Sequence, residues 1–145
     1  MARVSTYLNF PGNTEQAFQF YKTVFGTEFN GPIMRFRDAP PDSSQPPMPE
    51  ELQNMVMHIE LPILAGHILM GTDCPDAMGM PLIAGNNMHI TLEPDSRADT
   101  ERLFHALSVG GQIEMPLQDM FWGDYFGNFT DQFGVHWMLN CSSKA

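Results

Sequence analysis

His58 and Glu60 are the residues whose types and spacing most readily support chemistry. They stand two apart in NMVMHIELPI (Asn54–Ile63), a stretch that reads as a strand. Both side chains therefore project from one face, opposite Met57, Ile59 and Leu61. An imidazole titrates near neutrality, and a carboxylate beside it can orient or polarise it. Such a pair can act as acid, base or hydrogen-bond partner to a ligand. His89, in NMHITLE (Asn87–Glu93), is a third candidate, and the three together would make a non-standard metal set. The plainer alternative is a strand whose polar face meets water. His67, His105 and His136 read as surface residues. A second group is aromatic. Phe121–Asn140, FWGDYFGNFTDQFGVHWMLN, holds seven of the sixteen aromatic residues. Trp122 and Tyr125 are candidates for the apolar border of a cavity, whereas Trp122, Phe126, Phe129 and Trp137 would also serve as core.

These residues need elements to position them. Val4–Phe10 reads as a strand stopped by Pro11-Gly12, and Asn13 with Gln16 resembles a capping box. Ala17, Phe20, Tyr21, Val24 and Phe25 then mark one stripe of a helix over Asn13–Phe25, which Gly26 ends. Glu28–Asp38 is expected as a second strand. Ala39–Glu50 carries five of the twelve prolines and is expected as an extended loop, either a lid or a disordered segment. Asn54–Ile63 and His67–Asp73 are two further strands turned at Ala65-Gly66, and Pro- and Gly-rich 74–84 is a linker.

The second half repeats the first. Asn87–Glu93 is a strand, Ser96 caps a helix over Ser96–Val109 with Leu103, Ala106 and Leu107 on its buried side, and Gly110-Gly111 follows it. Strands at Gln112–Leu117, Asp124–Thr130 and Val135–Cys141 complete the unit, the last two joined by a tight turn at Asp131-Gln-Phe-Gly134. At an offset of 83 residues Pro11 matches Pro94, Asn13 matches Ser96 and Phe20 matches Leu103. Each half is strand–helix–strand–strand–strand, an internal duplication. The expected fold class is α+β: residues 1–145 form one domain of two βαβββ repeats, 1–73 and 85–145, whose eight strands make a curled mixed sheet around a cavity.

Composition narrows the function. The chain has a net charge of −10 with seven scattered Lys and Arg, which disfavours nucleic-acid and anionic-membrane partners. No apolar run approaches a membrane span, and MARVSTYLNF lacks the basic-then-apolar order of a signal peptide. Cys74 and Cys141 form no clustered pattern and read as thiols in a reducing cytoplasm. The expectation is a cytoplasmic protein. Among twelve Met residues, Met55, Met57, Met70, Met78, Met80 and Met88 lie in the middle, where flexible thioethers suit a pocket lining or gap filling. There is no GxSxG, HExxH or phosphate loop.

YLNFPGNTEQAFQFYKTVFG, MHIEL with HILMGTD, and FWGDYFGNFTDQFGVHWMLN together resemble the PhnB-like branch of the vicinal oxygen chelate superfamily. That superfamily includes glyoxalase I, bleomycin-resistance proteins and extradiol dioxygenases, and the branch is also labelled 3-demethylubiquinone-9 3-methyltransferase-like. The resemblance implies a small-molecule ligand and a homodimer. In members resembling glyoxalase I it also implies a divalent metal held by a His or Glu from each of four strands. Here His89 occupies one such position, but Thr6, Met70 and the Met138–Asn140 segment stand at the others. The expectation is therefore no metal and no other cofactor, with a divalent ion as the alternative. Methyl transfer lacks a glycine-rich strand–loop–helix for its nucleotide, since Gly26-Thr27 and Gly110-Gly111 follow helices. The resulting expectation is a binding protein whose aromatic and Met-rich cavity is bordered by His58, Glu60, His89, Trp122 and Tyr125. The alternative is a metal-dependent lyase, isomerase or dioxygenase.

Overall fold

The computed structural model describes residues 1–76, 79 and 81–142, so part of the expected 74–84 linker, with Met78 and Met80, lies outside the described residues. The chain divides into two compact units, Met1–Ile83 and Ala84–Ala145. No helix among the described residues is long and apolar enough to cross a membrane.

The first unit runs β1 (Thr6–Phe10), α1 (Thr14–Phe25), β2 (Met34–Arg35), a 3-10 turn at Phe36–Asp38, the short α2 (Glu50–Gln53), β3 (Val56–Pro62) and β4 (Ile68–Asp73). Its sheet has the order β1-β4-β3-β2, with β1 and β4 parallel and the other pairs antiparallel. The second unit runs β5 (Ile90–Leu92), α3 (Arg97–Ser108), β6 (Gln112–Asp119), β7 (Tyr125–Thr130) and β8 (His136–Cys141). Its order, β5-β8-β7-β6, with β5 and β8 parallel, is the same arrangement. The two α+β units are thus the expected βαβββ repeats, and the strands are hydrogen-bonded as two open four-stranded sheets.

Local chemistry explains the boundaries. Helix α1 ends where Gly26 takes φ 66° and its N–H donates to the Lys22 carbonyl. Its start differs from the expected capping box, because the Asn13 side chain makes no cap bond. Asp73, buried at the end of β4, accepts instead from Thr14 N (3.0 Å) and also from Val56 N (2.8 Å). One carboxylate thereby fastens the helix start to two strands. The buried stripe is Thr14, Ala17, Phe18 and Tyr21, while Phe20, Val24 and Phe25 are half-buried. Phe18 enters the core because Gly71 leaves room for it: a Cβ there would lie 2.6 Å from Phe18 Cε1.

The second strand shrinks from the expected Glu28–Asp38 to two residues, as Gly31 adopts φ 78° and Pro32 removes a ladder donor. Arg35 holds this edge through a two-pronged contact with Glu15 (2.9 and 3.1 Å) and a bond to the Asn54 carbonyl. In the second unit Ser96 Oγ accepts from Asp99 N, as expected. Thr100, Leu103, Phe104 and Leu107 are the buried side of α3, and Phe104 meets Phe129 edge to face at 4.9 Å.

Candidate functional site

In β3, Ile59 and Leu61 are buried beneath α1, and strand alternation sends His58 and Glu60 to the opposite, open face. Their side chains retain 33% and 24% exposure, enough to meet a ligand without being fully solvated. The strand register completes the face. Glu60 pairs with Met70, and Met70 with Tyr7, so these three lie in one row, while Met34 pairs with His58. Tyr7 Oη is 3.2 Å from His58 Nδ1, with the two rings 5.7 Å apart. Glu60 Oε1 lies 3.4 Å from His58 Nε2, and Arg3 Nη2 lies 3.5 Å from the same oxygen. The result is a continuous polar chain, Tyr7–His58–Glu60–Arg3. Partial burial pushes the Tyr7 phenol above its ordinary pKa, and a hydrogen bond with the Thr72 hydroxyl pulls it back in part.

Tyr7 is the residue that sequence reasoning missed. The 83-residue offset paired His89 with Thr6, but Thr6 shares the inner face of β1 with Leu8 and Phe10, and its Oγ1 meets His67 Nε2 at 2.9 Å. His67, expected on the surface, is accordingly half-buried and bonded. The signal was present in the alternation: apolar Leu8 and Phe10 put Tyr7 and Asn9 on the other face.

The second unit distributes the remaining candidates. His89 precedes β5 and shares the side of Thr91, away from Leu92, which is buried. Its ring is 5.4 Å from that of His136. His136, also expected on the surface, is half-buried, with Nδ1 2.8 Å from Thr130 Oγ1 and Nε2 2.9 Å from the Gly85 carbonyl. Thr130 in turn donates to Glu114. His105 is exposed as expected. Tyr125 pairs with buried Cys141 and faces α3, on the side of the sheet opposite His89. Its hydroxyl donates to Glu101, and the Arg97 guanidinium stacks on its ring at 3.8 Å. Burial, with Glu101 beside it, raises the Tyr125 phenol as well. Trp122 stands in the β6–β7 turn, 52% exposed, against the ring of Phe121, whereas Phe129 and Trp137 are core.

A four-ligand divalent site does not fit these residues. On the open face Met70 offers only a thioether, Thr6 is turned to the inner face against His67, and Asn140, on the last strand, donates its amide to Asp124. Among the described residues no three His, Cys, Asp or Glu side chains come together as a metal would need. His58 with Glu60 supplies two donors, too few for a protein-held ion.

The glyoxalase/bleomycin resistance protein/dioxygenase superfamily model matches residues 3–139. The chain is 31% identical over 142 residues to protein YjdN of Escherichia coli K12, covering 94% of this chain and 93% of that one. Its fold is similar to the crystal structure of protein PA1353 from Pseudomonas aeruginosa, with a TM-score of 0.81, 36% identity, and 97% and 98% of the two chains covered. It is also similar to a putative 3-demethylubiquinone-9 3-methyltransferase, PhnB protein, from Bacillus cereus (TM-score 0.74, 26% identity, 97% and 99% covered). The duplicated β1-β4-β3-β2 arrangement and these matches agree: the chain belongs to the glyoxalase/bleomycin resistance protein/dioxygenase superfamily, in its PhnB-like branch.

Proposed function

We propose that the chain binds a small, partly apolar organic molecule, and that the open face of the first sheet, carrying Tyr7, His58 and Glu60, makes the polar contacts. The observation that supports this most is the convergence of those three groups within hydrogen-bonding or ion-pair reach, on a face that also carries Met70 and Met34. An apolar surface with a few converging polar groups is the usual form of a small-molecule site. Thioethers adapt to irregular ligands, and the acidic surface steers the choice away from polyanions. The metal-dependent lyase, isomerase or dioxygenase reading has no donor cluster among the described residues to favour it.

A screen of metabolites by thermal shift tests the proposal, because a ligand at 100 times its Kd adds about 2.7 kcal/mol of stability. The same ligand should lose most of that effect against His58→Ala. A ligand that stabilises His58→Ala as well as the parent chain contradicts the assignment. We infer in addition that the chain forms a homodimer. Strand β6 supports this: it is an eight-residue sheet edge on which Ile113 is 47% exposed, the kind of edge that natural proteins cover.

A further inference from the structure

His58 has a neighbour at each ring nitrogen, Tyr7 within hydrogen-bond distance of Nδ1 and the Glu60 carboxylate at ion-pair distance from Nε2, and the two differ in what they can do. An ionised Glu60 can only accept, so the carboxylate oxygen 3.4 Å from Nε2 favours a hydrogen on that nitrogen. Nδ1 is then the nitrogen that varies, and it faces Tyr7 Oη at 3.2 Å. With Nδ1 bare, Tyr7 donates its O–H to it, and the phenol offers only lone pairs to anything on the open face. With Nδ1 protonated, the imidazolium donates to the Tyr7 oxygen, and the phenol O–H turns outward.

Resting on the binding reading above, we propose that Tyr7, His58 and Glu60 form a proton relay, and that the site takes small molecules bearing an acidic hydroxyl, a phenol or an enol, and holds them as the anion. The ligand O–H proton moves to the Tyr7 oxygen while the Tyr7 proton moves to His58 Nδ1. One ligand O–H bond breaks and one N–H bond forms. Tyr7 ends with one O–H, and the electron pair of the broken bond stays on the ligand oxygen, which accepts a hydrogen bond from Tyr7. No other reagent enters. Glu60 is a positioning residue that sets the His58 tautomer and faces the imidazolium charge.

The groups around His58 fit this role. Tyr7 comes from β1, Glu60 from β3, and the Thr72 hydroxyl from β4, while Arg3, from the segment before β1, shares the Glu60 oxygen. Met34, the β2 residue opposite His58, carries no charge. Because burial holds the Tyr7 phenol above its ordinary pKa, Tyr7 passes the charge on and does not keep it.

The test uses the full chain with 15N-labelled histidine. In the neutral state, long-range 15N–1H spectra should show His58 with hydrogen on Nε2. Tyr7→Phe should move the Nδ1 signal and leave the tautomer, whereas Glu60→Gln should remove the tautomer preference. A hydrogen on Nδ1 of neutral His58 overturns the relay. 4-Nitrophenol, added at a pH where the free probe is protonated, should take on its ionised spectrum when bound as His58 gains a proton. His58→Gln should abolish that spectrum and weaken binding about ten- to hundredfold, the worth of a hydrogen bond to a charged group. Nitrophenol that binds protonated, or does not bind at millimolar concentration, overturns the ligand class. If a metabolite from the thermal screen still depends on His58, the binding reading survives that result and only the acidic-hydroxyl class falls.

Discussion

Asp131 fastens the β7–β8 turn to the core of the second unit through three hydrogen bonds, and its removal tests how that unit is held. The residue is 3% exposed, at the start of the β7–β8 turn. Its Oδ1 accepts from Phe133 N (2.8 Å) and Val135 N (3.0 Å), and its Oδ2 accepts from Trp137 Nε1 (2.9 Å), beneath a ring with no exposure. Hydrogen bonds to a charged acceptor contribute about 1.5–3 kcal/mol each, and an orphaned buried donor costs about 1–3 kcal/mol. Asp131→Asn keeps the shape and one oxygen for the two backbone donors, but turns an NH2 toward the indole N–H. The expected cost is about 2–4 kcal/mol, or roughly 4–16 °C in Tm for a chain near this size. Trp137→Phe removes the same indole bond from the other side. A double-mutant cycle of Asp131→Asn and Trp137→Phe, followed by urea unfolding with far-UV circular dichroism, should give a coupling of about 1.5–3 kcal/mol. A coupling under about 0.5 kcal/mol, with the two losses simply adding, would refute the claim that this bond ties the turn to the core.

Three further outcomes follow from the same geometry. Gly71→Ala should destabilise by about 1–3 kcal/mol by overpacking, since the new Cβ meets the buried Phe18 ring at 2.6 and 2.9 Å and Thr14 Cγ2 at 3.2 Å; unchanged chemical unfolding would contradict it. The raised Tyr7 pKa favours the neutral phenol in the folded chain. Its contribution is fully present below the unfolded value of about 10 and is lost as pH rises through the folded value, so stability measured above pH ~10 should fall less steeply in Tyr7→Phe than in the parent chain. Sedimentation at micromolar concentration should give the mass of a dimer, and a monomer there removes the role assigned to the β6 edge.

Much of the fold was legible because it rests on periodicity. Ile59 and Leu61 alternate with His58 and Glu60, and the Asp131–Gly134 turn carries its own side-chain acceptor. The repeat was legible from its punctuation, Pro11 with Pro94 and the glycines after each helix. What escaped was set by distant contacts. The cap of α1 comes from Asp73, 59 residues away from the N–H it accepts, and no local pattern at Asn13 announces that. Phe18 joined the core in place of a more exposed Phe20 because Gly71 opened a space beneath it. Aligning the repeats by their prolines led to Thr6, whereas aligning them by strand face leads to Tyr7. Tyr125 shares the face of buried Phe129, so alternation along β7 already directs it toward α3.

Amide chemical-shift mapping of the 15N-labelled chain, with a ligand from the thermal screen, shows whether a small molecule binds on the Tyr7–His58–Glu60 face. Saturating ligand should move the signals of Tyr7, His58, Glu60 and Met70 on β1, β3 and β4, and His58→Ala should remove these shifts while the rest of the spectrum stays folded. Ligand-induced shifts that leave those four residues untouched and gather on the α1 side of the sheet would contradict it.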